Sequence, residues 1–153
     1  MEVIKGTVSS ELIAITLAPN ELLLESLQEV IDREDIQGGV VVSGIGSLRV
    51  CNVHEVDAGH PINLMTRKQR YYTYEGSIEV SAIQGIIAGG EPHLHLTGCL
   101  NGDKIVTGHI EKGCVVLTVI ELAILKLGHF PARRDYKQPE RIRTITTDQE
   151  GQK

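Results

Sequence analysis

The run Pro92-His93-Leu94-His95-Leu96-Thr97-Gly98-Cys99-Leu100, followed by Asn101-Gly102-Asp103 and then Lys104-Ile105-Val106-Thr107-Gly108-His109-Ile110, decides how this chain folds. Successive side chains of a strand point to opposite faces, so His93 and His95 share one face and converge like a pincer. Asn101-Gly102-Asp103 is a hairpin signal, because Gly102 is free to take φ > 0 between two alternating apolar runs. Register then decides whether His109 joins the pair. A three-residue loop, or a type I turn with a glycine bulge, puts His109 on the face of His93 and His95, whereas a tight two-residue turn sends it to the other side. The favourable register also gathers Leu94, Leu96, Leu100, Val106, Gly108 and Ile110 on the opposite face.

Working outward, residues 111–113 (Glu-Lys-Gly) read as a second turn, and residues 114–127 as a strand apolar on both parities except at Thr118, Glu121 and Lys126. Both of its faces need cover, and one helix cannot supply it, which predicts a symmetric oligomer. Upstream, residues 2–8 and 11–17 read as two strands of a hairpin around Ser9-Ser10. A helix is expected from an Asn20 N-cap to about Glu34, with Leu23, Leu24, Leu27, Val30 and Ile31 as its apolar stripe. Gly38-Gly39 ends it. Residues 40–42 then form a short buried strand, residues 43–47 (Ser-Gly-Ile-Gly-Ser) a tight turn, and residues 48–56 the next strand. That glycine turn lacks the full dinucleotide fingerprint and any P-loop lysine, so a phosphate cradle is the weaker reading.

Residues 58–69 lose periodicity and form a loop. The three tyrosines of residues 71–74 suit an edge strand, an apolar surface or a subunit contact, and residues 78–87 form a further strand. From Pro131 onward the chain is charged. Arg133, Arg134, Lys137, Arg141 and Arg143 stand against Asp135 and Glu140, the pattern of a solvated surface segment or tail.

At 153 residues and 41% hydrophobic content the chain suits one globular domain. Its net charge of −5, with 3% aromatics, suits neither bulk attraction to nucleic-acid phosphates nor base stacking. Cys51, Cys99 and Cys114 form no C-x-x-C pair, and Cys51 and Cys114 read as buried apolar residues in a reducing cytoplasm. No leader and no uncharged apolar run of membrane-spanning length is read.

Chemistry rests on the histidines. Neutral imidazole suits zinc or another divalent transition metal, and three protein nitrogens with one open position is the arrangement that acidifies water. The competing reading is three polar residues on a solvated or intersubunit face. Cys99, four residues beyond His95, lies roughly 13 Å along a straight strand, too far to be a ligand. His54, His60 and His129 read as loop or surface residues, and Glu121 as a carboxylate needing a basic partner, water or a histidine of another subunit.

Gly44-Ile45-Gly46-Ser47, residues 75–80 (Glu-Gly-Ser-Ile-Glu-Val), Pro92-His93-Leu94-His95, Gly108-His109 and residues 111–115 with Glu121 resemble, in this order, the plants-and-prokaryotes-conserved (PPC) domain family. The resemblance covers about residues 3–130. It implies an α+β domain over residues 1–130, an antiparallel sheet with one main helix packed on it, assembled as a homotrimer, followed by a charged segment at 131–153. It also implies a metal ion at His93, His95 and His109, which match the histidines that bind one in some stand-alone members. Two function classes follow. One is an oligomeric metal-binding protein, with hydrolytic or lyase activity on a small substrate left open. The other is a DNA-binding or regulatory assembly module touching nucleic acid through Arg133, Arg134, Arg141 and Arg143. The Arg-Gly-Arg-Pro hook of plant relatives is missing here.

Overall fold

The computed structural model describes residues 3–5 and 7–147. Among these residues eight strands and one α-helix follow one another as β1 (Thr7–Leu17), α1 (Leu23–Arg33), β2 (Gly38–Asp57), β3 (Lys68–Ala88), β4 (Glu91–Leu100), β5 (Lys104–Ile110), β6 (Val115–His129), β7 (Ala132–Lys137) and β8 (Ile142–Thr147). The first six strands form one antiparallel sheet in the order β1-β6-β2-β3-β4-β5, and β7 pairs with β8 alone. This is the α+β architecture the family resemblance implies.

One further pairing shapes the sheet. Strand β5 also meets β2, through Val53 opposite Ile110 and His54 opposite His109, so β2, β3, β4 and β5 close into a ring. Its interior is apolar, with Cys51, Val53, Ile78, Val80, Ile83, Leu94, Leu96, Val106 and Ile110 all buried. The helix lays Leu23, Leu27, Val30 and Ile31 against the same core. Each such side chain contributes about 1.5–3 kcal/mol on burial.

Three sequence expectations change. Among the described residues only one strand, β1, occupies the N-terminal region, and Ser9-Ser10 marks a shift in its register against β6 rather than a turn. Glu2 and Gly6 lie outside the described residues. The helix has Leu22 as its N-cap, with no side-chain cap, and not Asn20, whose amide instead donates to Val116 O at 3.0 Å. Residues 43–47 are no turn but the middle of the 20-residue β2. A Cβ on Gly46, at φ +140°, would stand 2.0 Å from Val119 O, so glycine is there to let β6 approach closely.

Residues 71–74 pair with β2 alone, the local edge expected of them. Strand β6 buries Val116, Ile120, Leu122 and Ile124. Its other face is open, with Glu121 exposed opposite Ile45, itself 49% exposed.

Candidate metal centre

The register question is answered at the β4–β5 turn. Leu100 pairs with Lys104 across the three residues Asn101-Gly102-Asp103, with Asn101 at φ 53° and Gly102 at φ 83°. Asp103 N–H donates to Leu100 O, and the Asn101 side chain accepts from Ser77 N–H, which anchors the turn on β3. His95 therefore stands directly opposite His109, with Leu94, Leu96, Val106 and Ile110 buried on the reverse face.

Ring closure adds a residue that local reading assigned to a loop or the surface. His54 lies in β2 directly opposite His109, so His95, His109 and His54 form a row across three strands. Gly108 makes that closure possible. It sits at φ +148°, and a Cβ there would meet His54 O and Val53 Cβ at 3.0 Å. Just past β5, the Glu111 amide donates to Asn52 O at 2.9 Å, which brings its carboxylate back to the His54 ring. His54 Nδ1 and Glu111 Oε1 lie 2.6 Å apart. With Nδ1–H donating to the carboxylate, Nε2 keeps its lone pair, the orientation that histidines serving metals or protons commonly need.

The rings are close. Centroids lie 4.7 Å apart for His93–His109, 4.5 Å for His54–His109 and 5.4 Å for His95–His109, while His93 Nε2 is 3.3 Å from His95 Nε2. Burial pulls His93 and His109 from the ordinary histidine value of 6.5 down to about 4, helped by the Arg134 charge and by the neighbouring histidines, His95 and His54 for His93 and all three for His109. His95 is lowered too, again mainly by burial. Three neutral imidazoles are thus gathered at one place, each with a lone pair to offer. Two overlapping sets of donors have ligand atoms within 4.8 Å of one another, His93-His95-His109 and His54-His109-Glu111.

The charged segment also departs in part from expectation. As far as residue 147 it is a largely exposed surface segment, as one of the two readings had it, but folded into the β7–β8 hairpin and turned back over the histidines. Arg134 Nη2 donates to Ile86 O at 3.1 Å, Arg143 is bound by the Glu91 carboxylate, and Arg67 donates to Glu140 O at 2.5 Å and Arg141 O at 2.8 Å. Residues 148–153 lie outside the described residues. Between hairpin and sheet is a cleft of about 770 Å³, with the four histidines and Glu111 on one side and Arg134, Tyr136, Arg141 and Arg143 on the other.

The remaining candidates stay apart. Cys99 pairs with Ile105, well along β4 from His95, and Cys51 and Cys114 are buried in the core as expected. Glu121 is exposed, and His60 and His129 are exposed at a loop and a strand end. Local periodicity missed His54 and Glu111. The available signal was that His54 ends an alternating run whose Cys51 and Val53 face the core, which puts its ring on the opposite face.

Comparison with known proteins agrees with this architecture. Residues 5–128 match the family model described as the Plants and Prokaryotes Conserved (PCC) domain. The fold is similar to that of a metal-containing protein of Archaeoglobus fulgidus, with a TM-score of 0.80 at 15% identity, covering 95% of this chain and 99% of that one. A Bacteroides thetaiotaomicron protein for which DNA binding has been suggested gives 0.78 at 13% identity, over 97% and 100% of the two chains. A plant- and prokaryote-conserved protein of Pyrococcus horikoshii gives 0.72 at 20%, over 89% and 92%. In sequence, the chain is 26% identical over 132 residues to the bifunctional protein GlmU of Synechococcus sp. (strain JA-2-3B'a(2-13)), covering 86% of this chain and 19% of GlmU. The chain therefore spans about a fifth of that relative's length.

Proposed function

We propose that this chain, which belongs to the Plants and Prokaryotes Conserved (PCC) domain family, is a metal-binding protein that holds a divalent transition metal, zinc by donor chemistry, through His93, His95 and His109. The observation that carries this reading is the 3.3 Å between the Nε2 atoms of His93 and His95, with His109 close to both. Zinc–nitrogen bonds of about 2.0–2.1 Å in a tetrahedron set the ligand nitrogens about 3.3–3.4 Å apart. A long neutral hydrogen bond has the same length, but it needs only two of the three rings. The donors are borderline nitrogens held neutral, which suits zinc better than the oxygen-preferring calcium or magnesium.

A bound ion would supply Lewis acidity and bring the pKa of water towards about 7. The residues beside it have their own tasks. Glu111 orients His54 through Nδ1 and leaves Nε2 able to accept a proton. The cleft gives a small substrate room next to that base, which supports hydrolytic or lyase chemistry as the activity to look for.

Assembly with further copies belongs to the same proposal, as a homotrimer. A row of apolar residues crosses the sheet face opposite the helix, from Leu12 and Leu125 through Val40 to Ile86, and ends beside His93. Leu12 is 62% exposed and Val42 and Ile45 are each 49% exposed on this face, a patch that another copy would cover. DNA binding is the second reading, from the relative for which it has been suggested. Against it, Arg134 and Arg143 are turned towards the cleft and bound by Ile86 O and Glu91. Among the described residues no helix is long and apolar enough to cross a membrane.

Elemental analysis of purified protein, together with its native mass, tests the proposal. The expected result is one transition-metal ion per chain in the wild type, less than a tenth of that in His95→Ala, and a mass of three chains. Equal metal content in the two proteins would end the metal reading, and a monomer mass the assembly.

A further inference from the structure

The family match ends at residue 128, and the hairpin that roofs the cleft begins at Ala132. The arginines around the cleft are not equivalent. Arg143 has the Glu91 carboxylate, and Arg67 is engaged with the carbonyls of Leu64, Glu140 and Arg141. Arg134 makes one hydrogen bond to a main-chain carbonyl, and its Nε is buried with no hydrogen-bond partner. A guanidinium N–H that has lost water without gaining an acceptor is costly, and an oxyanion offering two oxygens is the acceptor its fork fits best.

Where Arg134 stands decides what the anion would do. It lines the same cleft as the histidines, and its charge is felt at His93 and His109. The volume of about 770 Å³ is of the size that holds small molecules. Three of the lining groups are carboxylates, of which Glu91 is taken up by Arg143 and Glu111 by His54. A polyanion would meet those carboxylates, whereas a single oxyanion group needs only the guanidinium of Arg134, whose buried Nε still lacks an acceptor.

We propose that the cleft binds a small molecule carrying one oxyanion group, a carboxylate or a phosphate, which Arg134 grips from the roof while the rest of the molecule extends towards the histidines. The inference rests on the metal reading only for what lies at the floor. It makes Arg134 a specificity-determining residue supplied by a segment beyond the family match. A Lys in its place keeps the charge and loses the fork.

The test is an NMR titration of arginine Nε–H resonances in the ¹⁵N-labelled full chain, with acetate and, in a separate arm, inorganic phosphate, on protein as purified and after metal removal. One Nε–H resonance, absent from Arg134→Gln, should shift and saturate. Apparent affinity, followed in all three proteins through backbone amide resonances of the same titration, should fall about tenfold in Arg134→Gln and by less in Arg134→Lys, with metal content unchanged in both. Saturation by acetate alone assigns a carboxylate ligand, and by phosphate alone a phosphate ester. Equal binding by wild type and Arg134→Gln, or no saturable shift in either arm, would overturn the inference. A shift that survives metal removal upholds it even if elemental analysis finds no metal, so the two readings fail separately.

Discussion

Two hairpins face each other across the cleft, and they hold their functional groups in opposite ways. In the β4–β5 hairpin the histidines stand on a sheet whose reverse side is the buried core, so each ring direction is fixed by Leu94, Leu96, Val106 and Ile110 beneath it. In the β7–β8 hairpin only Ala132 is buried, and the arginines are held by polar contacts to Ile86, Glu91 and the loop at Arg67. Packing sets position in the first and hydrogen bonds set it in the second. A metal needs ligands placed to a few tenths of an ångström, while an anion tolerates a looser grip. The distribution of residue types follows that difference.

The comparison can be broken most directly at Gly108. A side chain in Gly108→Val meets both a positive φ and the β2 backbone, and chemical denaturation should show a loss of about 2–4 kcal/mol. Arg143→Gln in the other hairpin removes a half-exposed pair with Glu91 and should cost about 0–1 kcal/mol. Similar costs for the two would mean the hairpins are held alike. A smaller effect is expected for Glu111→Gln, which leaves the three proposed ligands intact and loosens only the His54 ring. Metal affinity measured by competition with a chelator should fall by less than about threefold, and a tenfold loss would place His54 among the ligands.

The mildest change is in pH. The unfolded chain takes up protons on these histidines near 6.5, whereas folded His93 and His109 resist until about 4. Between those values the unfolded state binds more protons, so stability of the metal-free protein is full above about 6.5 and falls as pH drops towards 4. Thermal unfolding of wild type against a His93→Gln, His109→Gln double variant should show the variant losing less over that window. Parallel curves would mean the two rings are not shielded.

The two hairpins also differ in how far the chain announced them. Asn101-Gly102-Asp103 lies between its own strands, so turn chemistry fixed the register locally and put His109 with His95. The His54–His109 pairing joins residues far apart in sequence, and its enabling signal is a single glycine that looks like any other. Glycines at 44 and 46 misled in the reverse direction. In a strand they permit close approach of β6 and adjacent side chains, yet locally they resemble a turn. The arginine segment was obscured by its charge. Its strand signal was the β-branched run at residues 142–147 after Pro139, outweighed by a composition typical of solvated chain.

The seam between β2 and β5 has one more consequence. It joins both halves of the histidine row through main-chain hydrogen bonds, so the spacing of the row is set by the sheet and not by the side chains' own contacts. A cation arriving there would meet a finished socket, and nearly all the free energy of its capture would appear as affinity, with little diverted to ordering chain.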